Sequence, residues 1–210
     1  MASSLKLYAQ TESAQDLTQY LFPEFSKSRV KMKTGSDLIL ILNYNTITGT
    51  IVFQRNAQFY DMANPESVDT VYLQNRRLVP FGKVFYEVVV NASVSFFIQH
   101  KSDLKESGKP AGYGGTSEVS ATSYLSGFDH PSGYYNLKLP PSCEIKYSPV
   151  YWVRINNNML SFYTVRQFLK IFPEQAEQIK QFFRESKLKI ENREDLIKLG
   201  NFCNELMKEK

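Results

Sequence analysis

The chain has 210 residues, 42% of them hydrophobic and 22% charged, with a net charge of +4. That balance excludes a disordered polymer and a strongly acidic or basic tail, and no apolar run approaches the ~18–20 residues of a membrane-spanning helix. Two His and two Cys leave little material for a multi-histidine metal centre or a thiol-redox pair, whereas 13 Tyr and 15 Phe make the chain rich in aromatic rings.

At the start, Leu7-Tyr8-Ala9 followed by Gln10 has the form of a signal-peptide end: a small residue at the cut, then a polar mature start. Residues 1–9 therefore read as a signal-peptide remnant, which predicts a periplasmic or cell-surface protein. Ser3, Ser4 and Lys6 fit that form less well, and an ordinary N-terminal tail is the alternative. From Ser13 to Leu21 a short helix is expected, with Ser13 as cap and Ala14, Leu17 and Leu21 on one face, stopped by Pro23. Phe22 and Phe25 then read as anchors.

Residues 10–102 form the first unit, and most of it reads as strands. Alternation is clear from Ser28 to Lys33, and Thr34 to Asp37 make a turn. Leu38-Ile39-Leu40-Ile41-Leu42 is a continuous apolar run, as expected of a strand covered on both faces. Turns at Thr46–Gly49 and Arg55-Asn56 separate strands over Thr50–Gln54 and Ala57–Asp61. Asn64 to Ser67 precede a strand over Val68–Leu73. The order from Arg29 to Leu73 resembles the start of a small SH3-like or Sm-like barrel. Further strands are predicted over Arg76–Phe81, Val84–Val90 and Val94–His100. Their connections are too short for parallel crossovers, so antiparallel pairing follows.

Residues 103–141 are read as a loop rich in Gly, Ser and Tyr, of a length that is functional or disordered when it occurs inside a compact domain. It supplies the candidate ligand-binding residues Tyr113, Gly114, Gly115, Tyr124, Asp129, His130, Tyr134 and Tyr135. Rigid rings beside glycines suit an adhesive surface, including one for sugars. Asp129-His130-Pro131-Ser132 contains the residue types of nucleophilic hydrolysis, but adjacent residues rarely face one another as a triad does. Residues 142–210 then read as a hairpin, Val150–Ile155 and Met159–Tyr163 across three Asn, and two to three helices packed on the same unit. The helices carry apolar stripes at Val165/Phe168/Leu169/Phe172, Ala176/Ile179/Phe183 and Leu196/Leu199/Cys203/Leu206, the last capped by Asn192. Cys203 fits a buried helical position. A Cys143–Cys203 bridge and two free thiols both remain open.

No phosphate-cradling, dinucleotide, nucleophile-elbow, zinc-hydrolase or C-x-x-C motif occurs, so no catalytic residue, metal site or cofactor is assigned. Lys27, Arg29, Lys31 and Lys33 alternate onto one strand face, a possible polyanion surface, although +4 is a small charge for a nucleic-acid footprint.

Several segments together carry a wider resemblance: QYLFPEF (19–25), LNYNT (42–46), DTVYL (69–73), VPFGKVFYEVVV (79–90), YGGTSEVSA (113–121) and FLKIFPE (168–174). The chain is similar to an uncharacterised family of exported, β-rich proteins from Bacteroidota, over nearly its whole length. The resemblance implies export and strands followed by helices, brings no catalytic role, and adds weight to Tyr113–Ala121. The expectation is an α+β protein: an antiparallel β-barrel or curved sheet, a long loop, a hairpin and C-terminal helices. Its expected role is non-catalytic binding or scaffolding in the cell envelope, toward a protein or glycan partner. A hydrolase or carbohydrate-active enzyme using 103–141 is one alternative, and a nucleic-acid-binding small barrel is the other.

Overall fold

A computed structural model of the chain describes residues 19–106, 109–111, 115–117 and 143–208. The strands are β1 (Ser26–Met32), β2 (Asp37–Asn45), β3 (Thr50–Arg55), β4 (Gln58–Asp61), β5 (Val68–Leu73), β6 (Arg76–Phe81), β7 (Val84–Val90), β8 (Val94–Gln99), β9 (Ser102–Glu106), β10 (Lys109–Ala111), β11 (Gly115–Ser117), β12 (Cys143–Tyr147), β13 (Val150–Ile155) and β14 (Asn158–Phe162). Three helices close the chain: α1 (Val165–Ile171), α2 (Ala176–Glu185) and α3 (Arg193–Lys208). The protein is thus α+β, as its pattern predicts.

Ten strands form one sheet in the order β14-β13-β8-β7-β6-β5-β1-β2-β3-β4. The pairings from β1 to β8 and on to β13 and β14 are antiparallel. Short turns make this possible. Asn56 and Ala57 (φ 51° and 59°) join β3 to β4, and Asn156 and Asn157 (φ 48° and 65°) join β13 to β14. Both turns have the two-residue form whose twist matches the flanking strands.

The expected barrel is not closed. The sheet ends at β4 on one side and β14 on the other, and these do not pair. It does curl, because the β2–β3 turn folds over onto β7, where Phe85 N donates to Gly49 O at 2.9 Å. Gly49 has φ +75°, and a Cβ there would stand 2.7 Å from Val84 Cγ1, so only glycine permits this approach.

The inner face carries two apolar cores. One gathers Val30, Leu42, Tyr44, Ile51, Val71, Leu78 and Phe85 inside the curl of β1–β7. The other lies between β8, β13 and β14 and the three helices, centred on Phe96, Phe162 and Phe168. Asn192 caps α3 as expected, its Oδ1 accepting from the backbone N of Glu194 (2.8 Å) and Asp195 (3.2 Å). Asn204 pins the same helix to the sheet: its Oδ1 accepts from Val94 N at 2.9 Å and its Nδ2 donates to Val94 O at 2.8 Å.

Gly200 lets α3 lie close on the strands, since a Cβ there would meet Val90 Cγ2 at 2.8 Å and Phe96 Cδ2 at 3.0 Å. In Gly200→Ala the better helix propensity offers about 1 kcal/mol, against an overpacking cost of about 1–3 kcal/mol. Val90 is β-branched and Phe96 is buried, so neither swings aside cheaply. The expected result is a net loss of about 1 kcal/mol in a urea titration; a stabilised variant would show that the helix shifts without cost.

Three sequence expectations need correction. Residues 19–21 are not helical: Tyr20 forms an antiparallel bridge to Asn45 and Leu21 N donates to Tyr44 O, because the chain here pairs alongside β2. The rest of the expected first helix lies outside the described residues. The 38–42 run is not covered on both faces, since Leu38, Ile39 and Ile41 are 44%, 54% and 47% exposed. The reason is position: β2 stands near the β4 edge, far from the helices. Finally, residues 103–106 are strand rather than loop: β9 begins at Ser102 and pairs with β12, with Cys143 opposite Glu106. Cys203 is free and buried in the helical core, and its burial pushes the thiol pKa up to about 12.

Candidate functional site

Two features of the inner face concentrate chemistry. The first is a polar seam between the cores. Glu87 is the only charged residue in β7 and points inward opposite Leu78 and Ile98, fully buried. A carboxylate there requires donors, and three arrive from different elements. Arg193 at the start of α3 places Nε 2.5 Å from Oε1; Arg76 of β6 places Nη1 2.5 Å from Oε2; His100, just past β8, places Nε2 2.8 Å from Oε2.

Burial alone would raise the Glu87 pKa. The hydrogen bonds from His100 and Arg193 and the charge of Arg76 outweigh it and hold the carboxyl at about 2. For His100, burial dominates and lowers the pKa against the opposing pull of Glu87, so the ring is neutral near pH 7. Its Nε2–H then donates to Glu87, which leaves Nδ1 to accept from Tyr147 Oη at 2.5 Å. Tyr44 Oη adds a further tie, donating to the backbone oxygens of Phe85 (2.9 Å) and His100 (3.0 Å).

Glu87, His100 and Tyr147 thus form a carboxylate–imidazole–hydroxyl relay. It differs from a hydrolytic triad at its last member. Desolvation raises the Tyr147 phenol above its ordinary value, so the relay ends in a protonated hydroxyl and not in an activated nucleophile. Both Glu87 oxygens are already engaged within the protein. What the seam does is lock β6, β7, β8, β12 and α3 together.

The second feature is a well at the open end of the curl. Val30 and Val68 form its floor, and Leu38, Leu40, Phe53 and Tyr60 line it from β2, β3 and β4. The crossover from β4 to β5 (residues 62–67) contributes Met62, Ala63, Asn64 and Ser67. The well encloses about 540 Å³, within the range of small-molecule sites, and is lined mostly by apolar side chains with a few polar groups at the rim. Phe53 and Tyr60 stack with centroids 5.5 Å apart. Arg55 stands at the rim, exposed, with no ion-pair partner among the described residues.

Of the sequence-predicted candidates, Gly115 opens β11, which pairs with β10. Tyr113, Gly114, Tyr124, Asp129, His130, Tyr134 and Tyr135 lie outside the described residues. The basic stripe runs where alternation puts it, along the outer face of β1, and two of its four cations are engaged by described residues. Arg29 meets Asp37 at 3.4 Å and stacks 4.0 Å over the Tyr72 ring, and Lys31 meets Asp69 at 3.6 Å. Sequence reasoning missed both the seam and the well. A lone Glu within VFYEVVV was a readable signal for the first, whereas the well depends on the curl of the sheet.

No group of three or more potential metal ligands occurs among the described residues, and no helix among them is long and apolar enough to cross a membrane. Comparison of the chain with protein-family models, with curated proteins and with solved structures found no match.

Proposed function

We propose that this is an exported, non-catalytic binding protein of the cell envelope, and that its recognition site is the apolar well at the open end of the sheet. The observation that carries the binding reading is the well itself. It gathers apolar side chains in an accessible concavity with a few polar groups, the form that ligand-binding sites take. Export rests on the Leu7-Tyr8-Ala9/Gln10 junction. The finer reading of the first half as a small-barrel-like module is supported by the contact of the β2–β3 turn with β7. The relay ending in Tyr147 supports a structural rather than a hydrolytic role for the buried Glu87–His100 pair. The ion pairs of Arg29 and Lys31 speak against a free polyanion surface.

A neutral fluorescent probe, N-phenyl-1-naphthylamine, tests the site. Its emission should rise on adding the protein, fall sharply with Leu38→Asp, and stay unchanged with Ile39→Asp, whose side chain is on the opposite face of β2. Equal loss in both variants, or no binding, would refute the site. In fractionated cells the protein should lie in the envelope with its N-terminus near Gln10; a cytosolic chain starting at Met1 would refute export.

A further inference from the structure

The geometry points to an amphipathic carboxylate, a flexible aliphatic chain bearing one acid group, as the ligand of the well, with Arg55 receiving the acid. The inference rests on the binding reading above and adds the chemical class.

Shape and size come first. The site is a concavity bounded by strands on one side and by the 62–67 crossover on the other, and its volume of about 540 Å³ suits a small molecule. A stable protein interface takes ~800 Å² on each side, whereas this volume is that of a small-molecule site. The short edge strand β4, of four residues, is also a poor template for adding a peptide strand.

The lining selects the chain. Leu38, Leu40 and Val30 are aliphatic, and Met32 and Met62 supply unbranched thioethers that adjust to a flexible guest. Phe53 and Tyr60 are already stacked on each other, so they present one joint wall and not a slot for an inserted ring.

The rim selects the head. Two charged residues line the well, Arg55 and Asp61. Asp61 Oδ1 is sealed from solvent, whereas Arg55 is exposed and unpaired among the described residues. A ligand head therefore meets the guanidinium, whose fork of donors matches a carboxylate. An alkylammonium of the same length would bring like charge to the same place.

The test uses the whole protein at pH 7.5 with three ten-carbon probes: decanoate and decyltrimethylammonium below their critical micelle concentrations, and decanol below its solubility limit. Each competes with the neutral dye. Decanoate should displace it at about a fivefold lower concentration than decanol, the scale of an exposed charge-assisted contact, and the ammonium should be weakest. Arg55→Gln should erase the advantage of decanoate over decanol, and Arg55→Lys should retain part of it. Decanoate should also shift the methyl resonances of Met32 and Met62, leaving that of Met207, at the end of α3, in place. Dye binding with no preference among the three probes, or with decanol or the ammonium preferred, overturns the acid headgroup and leaves the binding reading standing. Absence of both dye binding and displacement overturns the two together.

Discussion

Glu87→Gln is expected to lower unfolding stability by about 3–5 kcal/mol, because it removes the buried anion on which three donors converge, of which only Arg193 keeps a second carboxylate among the described residues, Glu194 at 3.1 Å. Arg76 and Arg193 keep their charges at positions only 24% and 27% exposed, and the single amide oxygen of glutamine replaces only one of the two carboxylate oxygens that accept from them and from His100. Urea titration at pH 7.5 measures the loss. A change under 1 kcal/mol would show that the two arginines find water instead and that the seam is not what holds the sheet to α3.

The same seam sets the direction of the pH dependence. Glu87 titrates near 2 in the folded protein against 4.5 for an ordinary glutamate, so its contribution is present above about pH 4.5 and is lost as the pH falls toward 2. By linkage that contribution is about 3 kcal/mol. His100 is lowered from 6.5, so the unfolded chain takes up its proton first, and stability falls as the pH drops below 6.5. Both groups act in one direction: the urea midpoint should decline from pH 7.5 to pH 4, and more steeply below 4.5. In Glu87→Gln the steeper part should be shallower, what remains coming from Asp103 and Asp195, whose pKa values are also lowered by their hydrogen-bond partners Ser148 and Lys198. A midpoint that rises on acidification would contradict a neutral His100.

Phe168→Ala is expected to cost about 3–5 kcal/mol, the scale for emptying a buried aromatic site. Phe168 is fully buried, and its ring contacts Phe162 (4.9 Å), Phe172 (5.2 Å), Phe96 (5.8 Å) and Phe183 (6.2 Å), so it joins β8, β14, α1 and α2. The damage should be local. Amide exchange should accelerate in α1, α2 and β14 while the core inside β1–β7, which shares none of these contacts, keeps its protection. Uniform acceleration across both cores would mean that they unfold as one unit. Phe168→Leu should lose markedly less.

Where local pattern decides structure, the sequence is readable. Alternation from Ser28 to Lys33 puts the cations of β1 on one face, and the helical spacing of Leu196, Leu199 and Cys203 puts them in the core. Asn56 and Asn156-Asn157 announce tight hairpins. Elsewhere the deciding contacts are remote in the chain. The run Leu38–Leu42 is apolar on both faces, but which face finds cover depends on how many strands separate it from the helices. Ser102–Glu106 has no apolar alternation and becomes a strand only because β12 returns to pair with it. The seam draws Arg76, Glu87, His100, Tyr147 and Arg193 from five separate places, and of these only Glu87 stands out in its own segment. The well is further removed still, since it exists only once the sheet has bent.

The pairing of Glu106 with Cys143 brings two residues distant in sequence to facing positions of one ladder. β9 and β12 make a two-stranded sheet of their own, outside the ten-stranded one. Loop-closure entropy grows only logarithmically with length, so an insertion or deletion in the sequence between them adds little to the cost of forming that ladder, and no register of the ten-stranded sheet is set by it.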